Sequence, residues 1–309
     1  MAAPSADVAA QSPGATHSAG AEEQAAAVRY WTPAKMSAVL QRARNTTRAL
    51  TRTRQLVKQA APAAAPWLAG DTAGDGLRWT HGGAVAAAVG KVFFTLSGSD
   101  YVCSGTLVGS GRSEVVLTAA HCVAGAPGRA RWATNWLFVP GYRDGQREPY
   151  DEYTARRFFT APGWAGPQGG TEQYDVAFVQ VTSATLDGGA RAAVPPPGLP
   201  VEFAGSQDGA AAGRGYVFGY PAEPPFTGLY ANFCAGPFAA SGGSVRTACA
   251  MTAGDSGGPW LTGFSPRTGA GRVFAVSTYK LSTNLKVLYG AVLGPQAHAA
   301  YQRAVSTAG

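Results

Sequence analysis

Three short strings hold residues that could do covalent chemistry. Leu117-Thr118-Ala119-Ala120-His121-Cys122 closes a hydrophobic run on a histidine. Tyr174-Asp175-Val176-Ala177-Phe178-Val179 opens one on an aspartate. Gly254-Asp255-Ser256-Gly257-Gly258-Pro259 sets a serine among glycines. A serine hydroxyl is a weak nucleophile at neutral pH and becomes useful beside a base that takes its proton. Singly, each string has an ordinary explanation. A histidine after a strand is commonly structural, an aspartate before one is a turn residue, and a Gly-rich string is a loop. Together, in the order His, Asp, Ser, they point to nucleophilic catalysis. Metal-dependent hydrolysis has little support, because the other histidines are His17, His81 and His298, with no HExxH spacing. No phosphate-cradling loop precedes a helix, which argues against a nucleotide enzyme.

These residues must be positioned by a chain of 309 residues, ample for a large core. Charged residues make up 14%, against a usual figure of about 25%. The 41 glycines and 21 prolines predict many turns and short strands. The net charge is +7, yet its densest basic run, Arg42, Arg44, Arg48, Arg52, Arg54 and Lys58, lacks interleaved aromatics for stacking bases. Nucleic acid is therefore not an expected partner. The apolar stretch from Ala84 to Leu96 is broken by Gly90 and Lys91 and falls short of the ~18 residues of a membrane span. Cys103, Cys122, Cys234 and Cys249 lack zinc-ligand spacing, so they form either two disulfides in an oxidising compartment or four buried thiols. Met1 is followed by Ala-Ala-Pro-Ser-Ala-Asp, with neither a charged nor an apolar signal region. The chain is either leaderless or has lost an export signal; the disulfide argument favours export.

Residues 1–27, rich in Ala, Ser, Gly and Pro, read as a disordered tail. Thr32 and Pro33 suit a helix start, and Met36, Leu40, Ala43, Thr47, Leu50 and Val57 form one apolar stripe. This predicts a basic amphipathic helix over about 32–60, lying on a partner surface or on a membrane surface. Residues 61–83 read as a linker. Strand candidates follow at 92–96, 115–118, 136–139, 176–181, 216–218, 260–261, 273–276 and 286–289, and Pro295 starts a helix with Ala297, Tyr301 and Val305 on one face. The pattern is all-β, a barrel or sandwich.

The three strings, in this order, resemble the trypsin/chymotrypsin-like serine peptidase family over roughly residues 85–294. Tyr30-Trp31-Thr32-Pro33, Val89-Gly90-Lys91-Val92-Phe93-Phe94 and Phe218-Gly219-Tyr220-Pro221 are similar to its secreted actinobacterial branch. The resemblance implies two antiparallel six-stranded β-barrels around one cleft, the first over about 84–195 and the second over about 196–294. A C-terminal helix at about 295–307 follows, and residues 1–83 form an N-terminal prosegment or packed extension. It implies that His121 is the general base, Asp175 its orienting partner and Ser256 the nucleophile, with the N–H groups of Gly254 and Ser256 binding the oxyanion. It also pairs Cys103 with Cys122, leaving Cys234 and Cys249 for a second disulfide. Polypeptide substrates, a monomer and no cofactor or metal are the corresponding expectations. The alternative is a catalytically silent, peptidase-like binding module, although all three site residues are present.

The specificity region departs from the family pattern. Ala250 stands where trypsin-like members place an aspartate, and Thr252 where a cysteine is usual. Ser277-Thr278-Tyr279 resembles the strand that lines the pocket, with Tyr279 either filling it or pointing away. Val276 replaces the histidine of glutamyl endopeptidases. Small or medium neutral side chains are therefore expected. Many members pair a newly freed amino terminus with the aspartate before the nucleophile, here Asp255. The nearest equivalent, Gly82-Gly83-Ala84-Val85, is not a clear one, and an internal partner for Asp255 is the other expectation.

Overall fold

The computed structural model describes residues 14–51, 73–109, 115–125, 132–145, 151–167, 169–184, 196–205 and 213–306. Alternating and wholly buried β-branched and aromatic runs, separated by Gly-containing turns, give two closed barrels. The first is built from β3 (Val89–Leu96), β4 (Ser99–Leu107), β5 (Val115–Thr118), β6 (Thr134–Pro140), β7 (Tyr153–Thr160) and β8 (Ala177–Ser183). Its order is β6-β3-β4-β5-β8-β7, closed by the pairing of β7 with β6. The second is built from β9 (Gly213–Gly219), β10 (Asn232–Ser241), β11 (Ser244–Ala248), β12 (Pro259–Ser265), β13 (Ala270–Leu281) and β14 (Asn284–Val292). Its order is β11-β14-β13-β12-β9-β10, closed by β10 on β11. All these pairings are antiparallel, so this is the chymotrypsin-like two-barrel fold. The C-terminal helix, α4 (Pro295–Ser306), lies on the first barrel, with Tyr301 against Phe178 and Gln180 donating to the Ala304 carbonyl.

The N-terminal region differs from its sequence reading. Residues 14–27 are not a disordered tail. They contain β1 (Thr16–Ser18), which pairs with the free edge of β7, and most of α1 (Ala21–Tyr30). His17 stacks on Trp132 and Phe158, which anchors the strand. Glu22 and Glu23 in the first turn of α1 and Arg29 in its last complement the helix dipole. Composition misleads here because a three-residue strand needs only an open edge to pair with, and a small-residue helix can lie close against a sheet.

The predicted amphipathic helix is α2 (Pro33–Thr51), begun by Thr32, whose hydroxyl accepts the Lys35 N–H at 3.2 Å. Residues 52–60 of that expectation fall outside the described residues. Met36, Val39 and Leu40 are buried in the molecule's own core, so this apolar stripe is occupied internally rather than by a membrane. Trp31, between the two helices, is completely buried. Its ring meets Phe93, and its indole N–H donates to the Asn135 carbonyl. The expected linker contains β2 (Ala73–Arg78), which pairs with β10, and the buried Trp79, packed on Phe218 and Phe233. The N-terminal region thus adds one strand to each barrel. The short helix α3 (Ala84–Ala88) then leads into β3.

Candidate active site

His121 and Asp175 leave neighbouring ends of two paired strands. Thr118 of β5 is opposite Ala177 of β8. His121 follows β5 in a single tight turn at Ala120–Cys122, and Asp175 ends the turn Glu172–Tyr174 just before β8. Asp175 uses both carboxylate oxygens on this one residue. Oδ1 accepts the His121 backbone N–H at 2.8 Å, and Oδ2 lies 2.6 Å from the imidazole Nδ1. The carboxylate is almost wholly buried, while the ring keeps an exposed edge. Burial by itself pushes the His121 pKa down. The charge and hydrogen bond of Asp175, with Asp255 further away, outweigh it and hold the pKa above the ordinary histidine value. The Cys103–Cys122 disulfide ties the histidine turn to β4, with Cα atoms 6.2 Å apart.

Ser256 comes from the second barrel, on the loop between Cys249 and β12. Gly254 has φ +103°, and a Cβ there would crowd the Tyr220 carbonyl at 2.7 Å. Gly257 has φ +80° and fits against Thr118 and Ser104 of the first barrel, where a Cβ would collide with both. The loop crosses the seam between barrels. The Ser104 N–H donates to the Ser256 carbonyl at 2.7 Å, and Cys122 Sγ lies 3.9 Å from the same oxygen. The residue after His121 therefore touches Ser256. Among the described residues, the N–H groups of Gly254 and Ser256 donate to no partner, so both remain free to bind an anion.

Asp255 faces inward beside the serine. The Ser277 hydroxyl lies near its carboxylate and favours the charged form, while Oδ2 has no hydrogen-bond partner among the described residues. Burial pushes its pKa up to about 7, against the opposing charges of Lys280 and His121. Among the described residues, Lys280, His121 and Ser277 are the internal groups of this chain that favour the charge of Asp255. The region 82–85 is held elsewhere: Ala84 and Val85 donate to the carbonyls of Thr268 and Gly269 at 3.0 and 2.9 Å.

The expected pocket residues also have defined partners. The Ala250 N–H donates to Gly74 at 2.6 Å, so β2 braces this segment from behind. Thr252, in the place of a cysteine, ties its loop to Glu223 through its hydroxyl, donating at 2.8 Å and accepting at 3.2 Å. Ser277 is buried and also accepts the Trp260 indole N–H, and Thr278 donates to the Tyr289 carbonyl. Tyr279 stacks on Tyr289 with ring centroids 4.7 Å apart, and its hydroxyl lies near Ser244. Cys234 and Cys249 form the second disulfide. Cys103, His121 and Cys122 bring ligand-type atoms within 4.8 Å of one another. Both sulfurs are committed to the disulfide, which leaves no thiolate to bind a metal.

Sequence reasoning missed three residues around this site. Lys280 donates to the carbonyls of Cys249 and Leu285, both at 2.6 Å, and lies near Asp255. Ser104 and Lys91 sit beneath the serine loop, both completely buried. A lysine within the otherwise apolar run of β3 was the one available signal. A cavity of about 300 Å³, lined by Trp79, Tyr142, Tyr220 and Tyr230 among others, touches none of His121, Asp175 and Ser256.

Residues 103–264, just over half of the chain, match the family model described as the trypsin-like peptidase domain. Among solved structures, the chain is similar to the protease Anisep from Arthrobacter nicotinovorans, with 35% identity and a TM-score of 0.61. That match covers 72% of this chain and 98% of that one. The thermostable serine protease AL20 from an extremophilic microorganism is 28% identical, with a TM-score of 0.62, covering 72% of this chain and 99% of that one. A Glu endopeptidase structure, at 17% identity and a TM-score of 0.56, shares the fold over 75% of this chain and 98% of its own. No curated protein matches the chain.

Proposed function

The chain belongs to the trypsin-like peptidase family, and on that premise we propose that it is a secreted serine endopeptidase working through His121, Asp175 and Ser256. The observation that carries this reading is the two-oxygen grip of Asp175 on His121, beside a serine whose loop offers two uncommitted N–H groups. In the proposed reaction, the Ser256 hydroxyl attacks a peptide carbonyl while His121 Nε2 takes its proton. Asp175 keeps the other imidazole proton on Nδ1 and stabilises the imidazolium. The N–H groups of Gly254 and Ser256 bind the oxygen as it gains charge. Collapse breaks the C–N bond, and His121 returns the proton to the leaving amine. Water then repeats the sequence on the acyl-enzyme.

Substrate choice in this reading follows from Ala250, Ser277, Thr278 and Tyr279. None supplies an acid for a basic side chain, so small or medium neutral residues are the proposed preference. The two disulfides support export. Of the two roles expected for residues 1–83, the strands β1 and β2 favour a packed extension that stays with the enzyme.

Digestion of an unfolded protein, with the cut sites mapped by mass, tests the proposal. Cuts after small or medium neutral residues, absent in Ser256→Ala, are expected. Cleavage that persists in Ser256→Ala would overturn the assignment of the nucleophile.

A further inference from the structure

Ser104 and Lys91 face each other across the ladder, on β4 and β3. Directly paired residues project to the same side of a sheet, and both side chains reach the second barrel at the same residue. Lys91 Nζ donates to the Tyr220 carbonyl at 3.3 Å, and the Ser104 hydroxyl accepts the Tyr220 N–H at 2.8 Å. The pair therefore holds Tyr220 by both ends of its backbone. The same Ser104 hydroxyl donates to the Gly254 carbonyl at 2.8 Å, and the Ser104 N–H holds the Ser256 carbonyl. Its own carbonyl accepts the Thr118 hydroxyl, three residues before His121.

These contacts fall on the peptide units around the two free N–H groups. The unit carrying the Gly254 N–H is held at its carbonyl, Ala253, by the Ala222 N–H at 2.7 Å. The unit carrying the Ser256 N–H is held at its carbonyl, Asp255, by the Gly258 N–H at 2.8 Å. The unit between them is held at its Asp255 N–H by the Thr252 carbonyl at 3.3 Å and, more closely, at its Gly254 carbonyl by the Ser104 hydroxyl at 2.8 Å. If that central unit turned, the two N–H groups would change direction relative to each other. Lys91 has no carboxylate partner among the described residues, and burial alone pushes its amine down to about 7. Burying such a group is costly, so its place calls for a role other than ion pairing.

We propose that Ser104 and Lys91 are positioning residues: by gripping the Tyr220 backbone and the Gly254 carbonyl, they hold the Gly254–Ser256 loop in the geometry that stabilises the oxyanion. The device extends to the N-terminal region. Leu40 of α2 and Lys91 Nζ crowd the same face of Gly228, where a Cβ would lie 2.7 and 3.2 Å from them. Leu40 of the N-terminal helix thus comes near the lysine that supports the loop. The proposal rests on the oxyanion role given above to Gly254 and Ser256.

The test uses the full chain and two near-isosteric variants, Ser104→Ala and Lys91→Met. Each is checked for folding by near-ultraviolet circular dichroism and assayed on a peptide amide and against a peptide trifluoromethyl ketone, which forms a tetrahedral adduct. Loss of a whole oxyanion donor lowers turnover by about 10²–10³-fold, and that sets the ceiling for a supporting group. For Ser104→Ala the expected result is a fall in kcat of about 10–100-fold with KM little changed, matched by an equal loss of ketone affinity. Lys91→Met should show a smaller loss with the same signature. The double variant should lose less than the product of the two, since both act through Tyr220. Variants with a lower Tm but unchanged kcat and ketone affinity would show a merely structural pair and overturn the proposal. Should one variant not fold, the other decides by the same readouts. Failure of the wild type to form the ketone adduct would instead sink the nucleophile assignment.

Discussion

Replacing Asp175 by asparagine should disable the base while leaving the fold in place. Both oxygens of Asp175 are engaged, one by a backbone N–H and one by the imidazole. The introduced amide keeps only one acceptor oxygen. The His121 backbone N–H can only donate, so that oxygen must stay there. The NH₂ group then falls against Nδ1. That nitrogen must become the acceptor, which moves the ring proton to Nε2, the atom proposed to take the serine proton. An imidazole in that tautomer cannot act as a base toward Ser256. The expected loss is about 10⁴ in kcat, with KM little altered. That corresponds to about 5 kcal/mol of transition-state stabilisation. Loss of the negative charge also removes the main influence raising the His121 pKa, so what activity remains should keep its acid limb at a lower pH. Steady-state kinetics on a peptide amide across about pH 6–9, with folding checked by circular dichroism, would measure all of this. A well-folded Asp175→Asn variant losing less than about 100-fold in kcat would refute the tautomer argument.

Other predictions follow from the same contacts. Asp255 has a native pKa of about 7 against an ordinary 3.8, so the folded state binds more protons and stability falls as pH rises from about 4 to 7. Denaturant titrations should show this slope in the wild type and a flatter one in Asp255→Asn. The variant should gain up to about 4 kcal/mol at about pH 8, and an unchanged slope would count against the buried carboxylate as its source. Trp31→Ala removes a completely buried ring and should cost about 3–5 kcal/mol in urea unfolding, whereas a loss below about 1 kcal/mol would mean α1 and α2 are loosely held. Deleting residues 1–83 removes a strand from each barrel, together with Trp31 and Trp79. The truncated chain should be recovered unfolded or much less stable, and a stable, fully active product would restore the prosegment reading.

The sequence exposed the chemistry more readily than its supports. The strings around His121, Asp175 and Ser256 are local and contiguous, so residue types and order were enough to single them out. The disulfide at Cys103 and Cys122 could be paired from the resemblance because each cysteine lies inside a recognisable family string. Ser104 and Lys91 behave differently. Their role depends on a cross-strand register and on Tyr220, more than a hundred residues away, which no local pattern encodes. β1 was hidden for a related reason. Thr16-His17-Ser18 has no strand pattern of its own, and it becomes a strand only because β7 has a free edge and Trp132 and Phe158 offer a stacking surface for His17. The helix over Pro33–Thr51 was visible from its stripe. Its destination, the molecule's own core, became clear only from the burial of Met36, Val39 and Leu40. Tyr279 shows the same limit, since its orientation is set by Tyr289 on the neighbouring strand.

The most direct test of the central claim is covalent labelling of the intact chain with a fluorophosphonate, read by whole-protein mass spectrometry and compared with Ser256→Ala. The proposed machinery predicts a single adduct on the wild type, mapped to Ser256 and lost in the variant. No adduct on folded protein, or an adduct that survives Ser256→Ala, would contradict it.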